Sequence, residues 1–153
     1  MSREVEVFVG ETSLKLSVES VAACIRCLDE DGTYNVPFGT IEVAFVDVPS
    51  CCRLHEDFFG DPDPTDVMTF PAEPGDGHAG DIAICPQVAT EACTEHGLPF
   101  EEELTLYLVH AWLHLAGLRD DSPQACQQMR QGEALMMERL RDQQRLLECL
   151  WQS

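Results

Sequence analysis

The stretch "PFEEELTLYLVHAWLHLAG", residues 99–117, constrains the fold of this chain more than any other. Glu101, Glu102 and Glu103 fall in its first turn, where a helix dipole favours anions. From Leu104 to Ala116 apolar side chains cover nearly every face, and Gly117 suits the left-handed residue that closes a helix. No apolar run in the chain approaches the roughly 20 residues needed to span a bilayer. A helix like this must therefore be wrapped by the rest of the protein. One domain, residues 1–153, is long enough to do so.

The remaining stretches read as that wrapping. "REVEVFV" (3–9) and "TIEVAFVD" (40–47) alternate with period two and are rich in valine, the pattern of strands. Between them, "LKLSVESVAACIRCLDEDG" has helical spacing and ends in a glycine turn. "CRLHEDFFGDPDP" (52–64) predicts a short helix stopped by Gly60. "DVMTF" (66–70) and "GDIAIC" (80–85) predict two short strands joined by the loop "PAEPGDGHA". "PQVATEACTEHG" predicts a helix with proline at its start and Gly97 at its end. A last helix, about 123–149, carries Cys126, Met129, Met136, Met137, Leu140 and Leu147 on one face. Glu133 falls inside that apolar face, which requires a partner for its carboxylate. Arg130, Arg141 and Arg145 form a separate stripe, either a solvated helix face or, with Arg119, a basic patch. The order β-α-β-α-β-β-α-α-α implies an α+β fold with a small mixed four-stranded sheet and about five helices.

Charge narrows the partners. The chain has 28 acids, 9 bases and a formal charge of -19, with Lys15 as its one lysine. Such a surface repels polyanions, so nucleic acid can be bound only through a local basic patch. The opening "MSREVEVFVGETSLKL" carries acids and alternates, unlike a signal peptide, so a cytoplasmic protein without membrane association is expected. The eight cysteines are then read as small buried apolar residues. Cys24, Cys27, Cys51 and Cys52 would make a zinc site only if the helical Cys24-x-x-Cys27 met the adjacent pair.

Inside the central helix, His110 and His114 lie four residues apart, one turn on the same face. Two imidazoles so placed suit two corners of a zinc tetrahedron, and Gly117 lets the chain turn so that Asp120 can supply a third ligand. His-xxx-His-xx-Gly-xx-ligand is the spacing of the metzincin proteases, but the position of their general-base glutamate is Ala111 here. Glu103, seven residues before His110 on the same face, is the candidate to orient a ligand or act as a base. The competing reading is two core histidines bonded to backbone and Asp120 as a turn residue. If Asp120 is only that, Asp121 and His78 are the next candidates for the third ligand.

Three ordered motifs, "PTDVMTFP" (64–71), "GDIAICPQVA" (80–89) and "HAWLHLAGLRD" (110–120), resemble the YbeY family of metal-dependent endoribonucleases, the rRNA maturation factors. "EEELTLYLVH" resembles the family's lead-in helix and "MRQGE" (129–133) its last helix. The resemblance spans about residues 40–140. It implies an α+β fold, one Zn2+ per chain and cleavage of single-stranded RNA in 3′-end maturation of small-subunit rRNA and in ribosome quality control. It also implies the ribosomal small subunit as partner, and no DNA. The family's first two histidine ligands fall on His110 and His114, and its third falls on Asp120. Where the family usually carries an arginine shortly before PTDV, this chain has Phe59; Arg53 and Arg119 are the candidates to replace it. Catalysis is accordingly expected to rest on His110, His114 and Glu103. The alternatives are a catalytically weakened, ribosome-associated zinc-binding protein and, less favoured for want of a base at Ala111, a zinc metalloprotease.

Overall fold

The computed structural model describes residues 3–73 and 75–152; Pro74, in the expected 71–79 loop, lies outside them, as do the two ends of the 1–153 domain. Strands β1 (Val5–Val9), β3 (Thr40–Phe45), β5 (His78–Ile84) and β4 (Val67–Pro71) form one sheet in that order, around helices α1 (Val18–Asp31), α2 (Val48–Phe59), α3 (Pro86–His96), α4 (Phe100–Leu115) and α5 (Pro123–Gln143). β1, β3 and β5 run parallel and β4 is antiparallel to β5. This is the expected mixed sheet of an α+β fold. A second sheet of two three-residue strands, β2 (Leu14–Leu16) and β6 (Cys149–Trp151), was not expected.

Alternation along the strands separates two environments. Ile41, Val43, Phe45, Ile82 and Ile84 point to the main core, where α4 contributes Leu104, Leu108, Trp112 and Leu113, all fully buried. The opposite face carries Glu6, Phe8, Glu42, Ala44, Asp81 and Ala83 and is covered at one end by α2 over a small core of Cys51, Met68, Ala83 and Cys85. Cys24 and Cys27 lie in the main core, so the four cysteines of the conceivable thiolate site do not meet. The three glutamates of the first turn leave α4 apolar beyond it, as the sequence requires of a wrapped helix. Even the buried indole N–H of Trp112 has a partner, Asp29 Oδ1 at 3.1 Å. No described helix is long and apolar enough to cross a membrane.

Two boundaries differ from expectation for a local reason. α5 stops at Gln143 rather than near 149, because Gln144 takes a left-handed conformation (φ 57°) and Arg145 N–H bonds back to Leu140 O at 2.8 Å. The chain then runs out to pair with Leu14–Leu16, a segment assigned by its spacing to the start of the first helix. Arg145 is therefore not on the helix, and the basic stripe is broken.

One glycine lies where the end of α4 meets the sheet. A Cβ at Gly80 would come within 2.5 Å of Leu115 Cδ2, the movable end of a side chain, and 3.1 Å of Phe70 O, so a larger residue there would crowd the end of α4 against β5.

Candidate metal centre

The last turn of α4 is built to return the chain on itself. Gly117 adopts φ +100°, Gly117 N–H bonds to His114 O at 3.0 Å and Leu118 N–H to Leu113 O at 3.0 Å. This is the double bond pattern of a Schellman stop, and glycine holds its left-handed position. The turn points the Leu118 carbonyl at His114 Nδ1 (2.9 Å) and sends Asp120 back over the helix end. On the other side, α5 places Glu133 Oε2 at 2.7 Å from His110 Nδ1. The unexplained acid on the apolar face of α5 thus has its partner.

These contacts set the tautomers. A carbonyl and a carboxylate accept, so both Nδ1 atoms donate and both Nε2 atoms present lone pairs. The two Nε2 atoms lie 3.0 Å apart, and Asp120 Oδ2 lies 3.5 Å from that of His110 and 3.4 Å from that of His114. Three acceptor atoms converging in this way repel one another unless a cation or an extra proton lies among them. Donors at zinc bond lengths in a tetrahedron stand roughly 3.3 Å apart. The residues present fit zinc in atom type, number and spacing. Without a cation, burial disfavours charge on His110, but the Glu133 hydrogen bond and charge, with Asp120 and Asp66, outweigh it and hold its pKa above the ordinary 6.5, so a proton is the metal's competitor there.

Two clefts meet at these donors. One, of about 640 Å³, passes His55, Phe59 and Arg119; the other, of about 460 Å³, passes His96, Glu103, Tyr107 and Arg130. Both reach Asp66, His110 and Asp120. Asp66 belongs to "PTDV", where its position between two clefts could not be read.

The other candidates are placed as follows. Glu103 is buried in the second cleft and bonds His96 Nδ1 at 3.0 Å, not an imidazole of the pair. The orienting role considered for it is filled at His110 by Glu133. The Glu103 hydrogen bond and charge raise the His96 pKa above 6.5. Asp121 is paired with Arg119, and His78 Nε2 bonds Asp81 at 2.9 Å on the sheet's other face, so neither joins the donor set. Arg141 pairs with Glu102 at 2.6 Å and Arg130 lies 3.7 Å from Glu133. Arg53 bonds Ser50 Oγ at 3.2 Å, and does not line either cleft. Among the described residues one other group, Glu42, His78 and Asp81, brings a comparable set of donor atoms within 4.8 Å of one another.

Comparison with known proteins identifies the family. The pattern of the endoribonuclease YbeY family matches residues 8–141. An endoribonuclease YbeY from Protochlamydia amoebophila is 43% identical over 84 residues, 52% of this chain and 56% of the relative. One from Beutenbergia cavernae is 38% identical over 97 residues, 57% of this chain and 65% of the relative. One from Cutibacterium acnes is 34% identical over 117 residues, 70% of each. The first two matches thus span less than two thirds of the relatives' length. A Thermotoga maritima protein of known solution structure superposes with a TM-score of 0.64 at 25% identity, covering 92% of this chain and 91% of its own. With the family pattern running from β1 into α5, the chain belongs to the YbeY endoribonuclease family.

Proposed function

We propose that this protein is a zinc-dependent endoribonuclease that cleaves single-stranded RNA, with the 3′ end of small-subunit rRNA as substrate and the ribosomal small subunit as its cytoplasmic partner. The observation that carries the reading is the convergence of His110 Nε2, His114 Nε2 and Asp120 Oδ2 where two clefts meet. His110, His114 and Asp120 would hold one zinc ion. Bound there, zinc would supply Lewis acidity toward a phosphodiester oxygen and toward an attacking water.

The chain's own residues do the rest. Glu133 and the Leu118 carbonyl hold the two imidazoles as Nδ1–H tautomers, keeping both Nε2 lone pairs on the site. Asp120 adds a carboxylate where the family pattern has a third imidazole, which lowers the net positive charge of the loaded site. Glu103, through Nδ1 of His96, leaves that imidazole's Nε2 to hold or move a proton at the wall of the second cleft. The apolar walls of α4 and β4 keep the donors partly shielded from bulk water.

The test combines elemental analysis with single-turnover cleavage of a fragment carrying the 3′ end of small-subunit rRNA. About one zinc per chain is expected, with cleavage that disappears in His114→Ala. Stoichiometric zinc without cleavage selects the ribosome-associated zinc-binding protein instead, for which Phe59 in place of the arginine is the favouring observation. Full zinc retention in His114→Ala would refute the assignment of the centre.

A further inference from the structure

We propose that Phe59, backed by His55 and Phe70, is a stacking platform for one unpaired nucleobase of the RNA, a base-binding subsite beside the metal centre. The proposal rests on the endoribonuclease reading above and adds how a strongly acidic chain holds its substrate.

Three observations carry it. Phe59 lines the same 640 Å³ cleft as His110, His114 and Asp120, yet its side chain is 56% exposed. A volume of that size lies within the roughly 300–1,000 Å³ of small-molecule sites, room for a nucleotide reaching the donors. Second, the ring is held rather than loose. It closes α2 immediately before the left-handed Gly60, whose N–H caps the helix on Glu56 O at 2.9 Å. Its centroid lies 5.7 Å from His55, one turn earlier, and 5.9 Å from Phe70 on β4. His55 is itself fixed, with Nδ1 donating to Asp63 O at 2.6 Å. An exposed aromatic residue that lines the cleft and meets aromatic rings on two sides is a preorganised flat surface.

The third observation is electrostatic. The chain carries a formal charge of -19, and Arg119, the arginine in this cleft, pairs with Asp121. Phosphate contacts are therefore scarce where the scissile bond must lie. Stacking on an aromatic face needs no cation and tolerates any base. It also needs a base whose face is free, which a duplex does not offer. Single-strand preference then follows from the platform itself.

The experiment uses a fluorescently labelled single-stranded oligonucleotide made wholly of 2′-O-methyl nucleotides, confirmed intact on a denaturing gel after each titration, and a set in which each position in turn is abasic. Binding to zinc-loaded wild type, Phe59→Ala and Phe59→Trp is measured at two salt concentrations, with zinc content checked for each protein. One abasic position should weaken wild-type binding by about 5- to 150-fold, the effect of losing one stacked base. Phe59→Ala should lose the same factor on the intact strand, and the abasic position should then cost nothing further. Phe59→Trp should bind at least as tightly as wild type. An intact strand that binds Phe59→Ala as tightly as wild type, or an abasic penalty unchanged in that variant, overturns the platform. A parallel cleavage assay on unmodified RNA separates the two readings: cleavage without an abasic penalty removes the platform alone, and a penalty without cleavage removes the endoribonuclease alone. A wild type that binds no strand overturns both.

Discussion

At the end of α4, His110, His114 and Asp120 bring donor atoms together; on the open face of the sheet, Glu42, His78 and Asp81 do the same. The side-chain chemistry of the two groups is similar, and what stands behind them is not. Each imidazole at the helix end has Nδ1 held by a neighbouring acceptor, so the remaining lone pairs are aimed before any ligand arrives. His78 instead has its Nε2 occupied by Asp81 from within its own group, and Glu42 stands directly opposite acids on both neighbouring strands. The first group is acceptors aimed at a common point; the second lies in a row of like charges whose middle member, Glu42, holds its proton more tightly than an ordinary carboxyl. Proximity of ligating residues is common to both, and orientation by outside partners belongs to one.

The largest effect that can break this contrast is total loss of metal. His114→Ala leaves a carboxylate and one imidazole at the helix end, and tight zinc binding should vanish, with the stoichiometry falling from about one to near zero. If half a site's worth or more survives, the open-face group is binding metal and the distinction between the two collapses. Glu133→Gln probes the outside partner alone. Losing a carboxylate behind a metal-bound histidine typically costs about 10- to 100-fold in affinity, so competition with a chelator should show a loss in that range. His78→Ala, which removes the imidazole of the other group, should leave zinc affinity at the helix end unchanged. Asp120→His should act in the opposite direction from Glu133→Gln, tightening zinc because imidazole is a neutral donor suited to it, while Asp120→Ala should weaken it. Equal affinities across the wild type and both Asp120 variants would reduce Asp120 to a turn residue.

The same contrast marks what could be read from sequence. The spacing of His110, His114, Gly117 and Asp120 was legible because a regular helix and one glycine turn translate sequence intervals directly into positions. Glu133 was legible only as an anomaly, an acid on an apolar helix face, since its partner lies 23 residues away across a helix–helix packing. The Leu118 carbonyl carried no signal, because backbone groups have no identity in a sequence. Glu103 shares a helical face with His110 but turns to His96, since a residue two turns away on the same face is neighboured by whatever the next element brings. In the fold, the four long strands and five helices follow from periodicity. The β2–β6 pair does not, because three residues show no period and its partners lie at opposite ends of the chain. The end of α5 was missed for want of a glycine, the left-handed position being taken by Gln144.

The smallest effect concerns the open face and is a matter of sign. Glu42 lies in register between Glu6 and Asp81, and like charges directly opposite destabilise a sheet. Hydrogen bonding to the side chains of Asp81 and then Glu6, with some burial and the repulsion of both charges, raises its pKa from an ordinary 4.5 to about 7. The folded state therefore binds this proton more tightly than the unfolded chain. Its stabilising contribution is complete below about pH 4.5, declines between 4.5 and 7, and is gone above 7. Glu42→Gln keeps the side chain's shape and hydrogen-bonding capacity but cannot acquire the charge. Measured in a chelating buffer, its melting temperature should exceed that of wild type at pH 8, and the gap should narrow steadily toward pH 4.5. Comparing the two proteins at each pH cancels the titration of the other carboxylates that do not touch Glu42. A gap of constant size from pH 4.5 to 8 would mean that Glu42 carries no strained charge. The row would then be an ordinary solvated surface, and the open-face group would lose its one electrostatic difference from the many exposed acids of this chain.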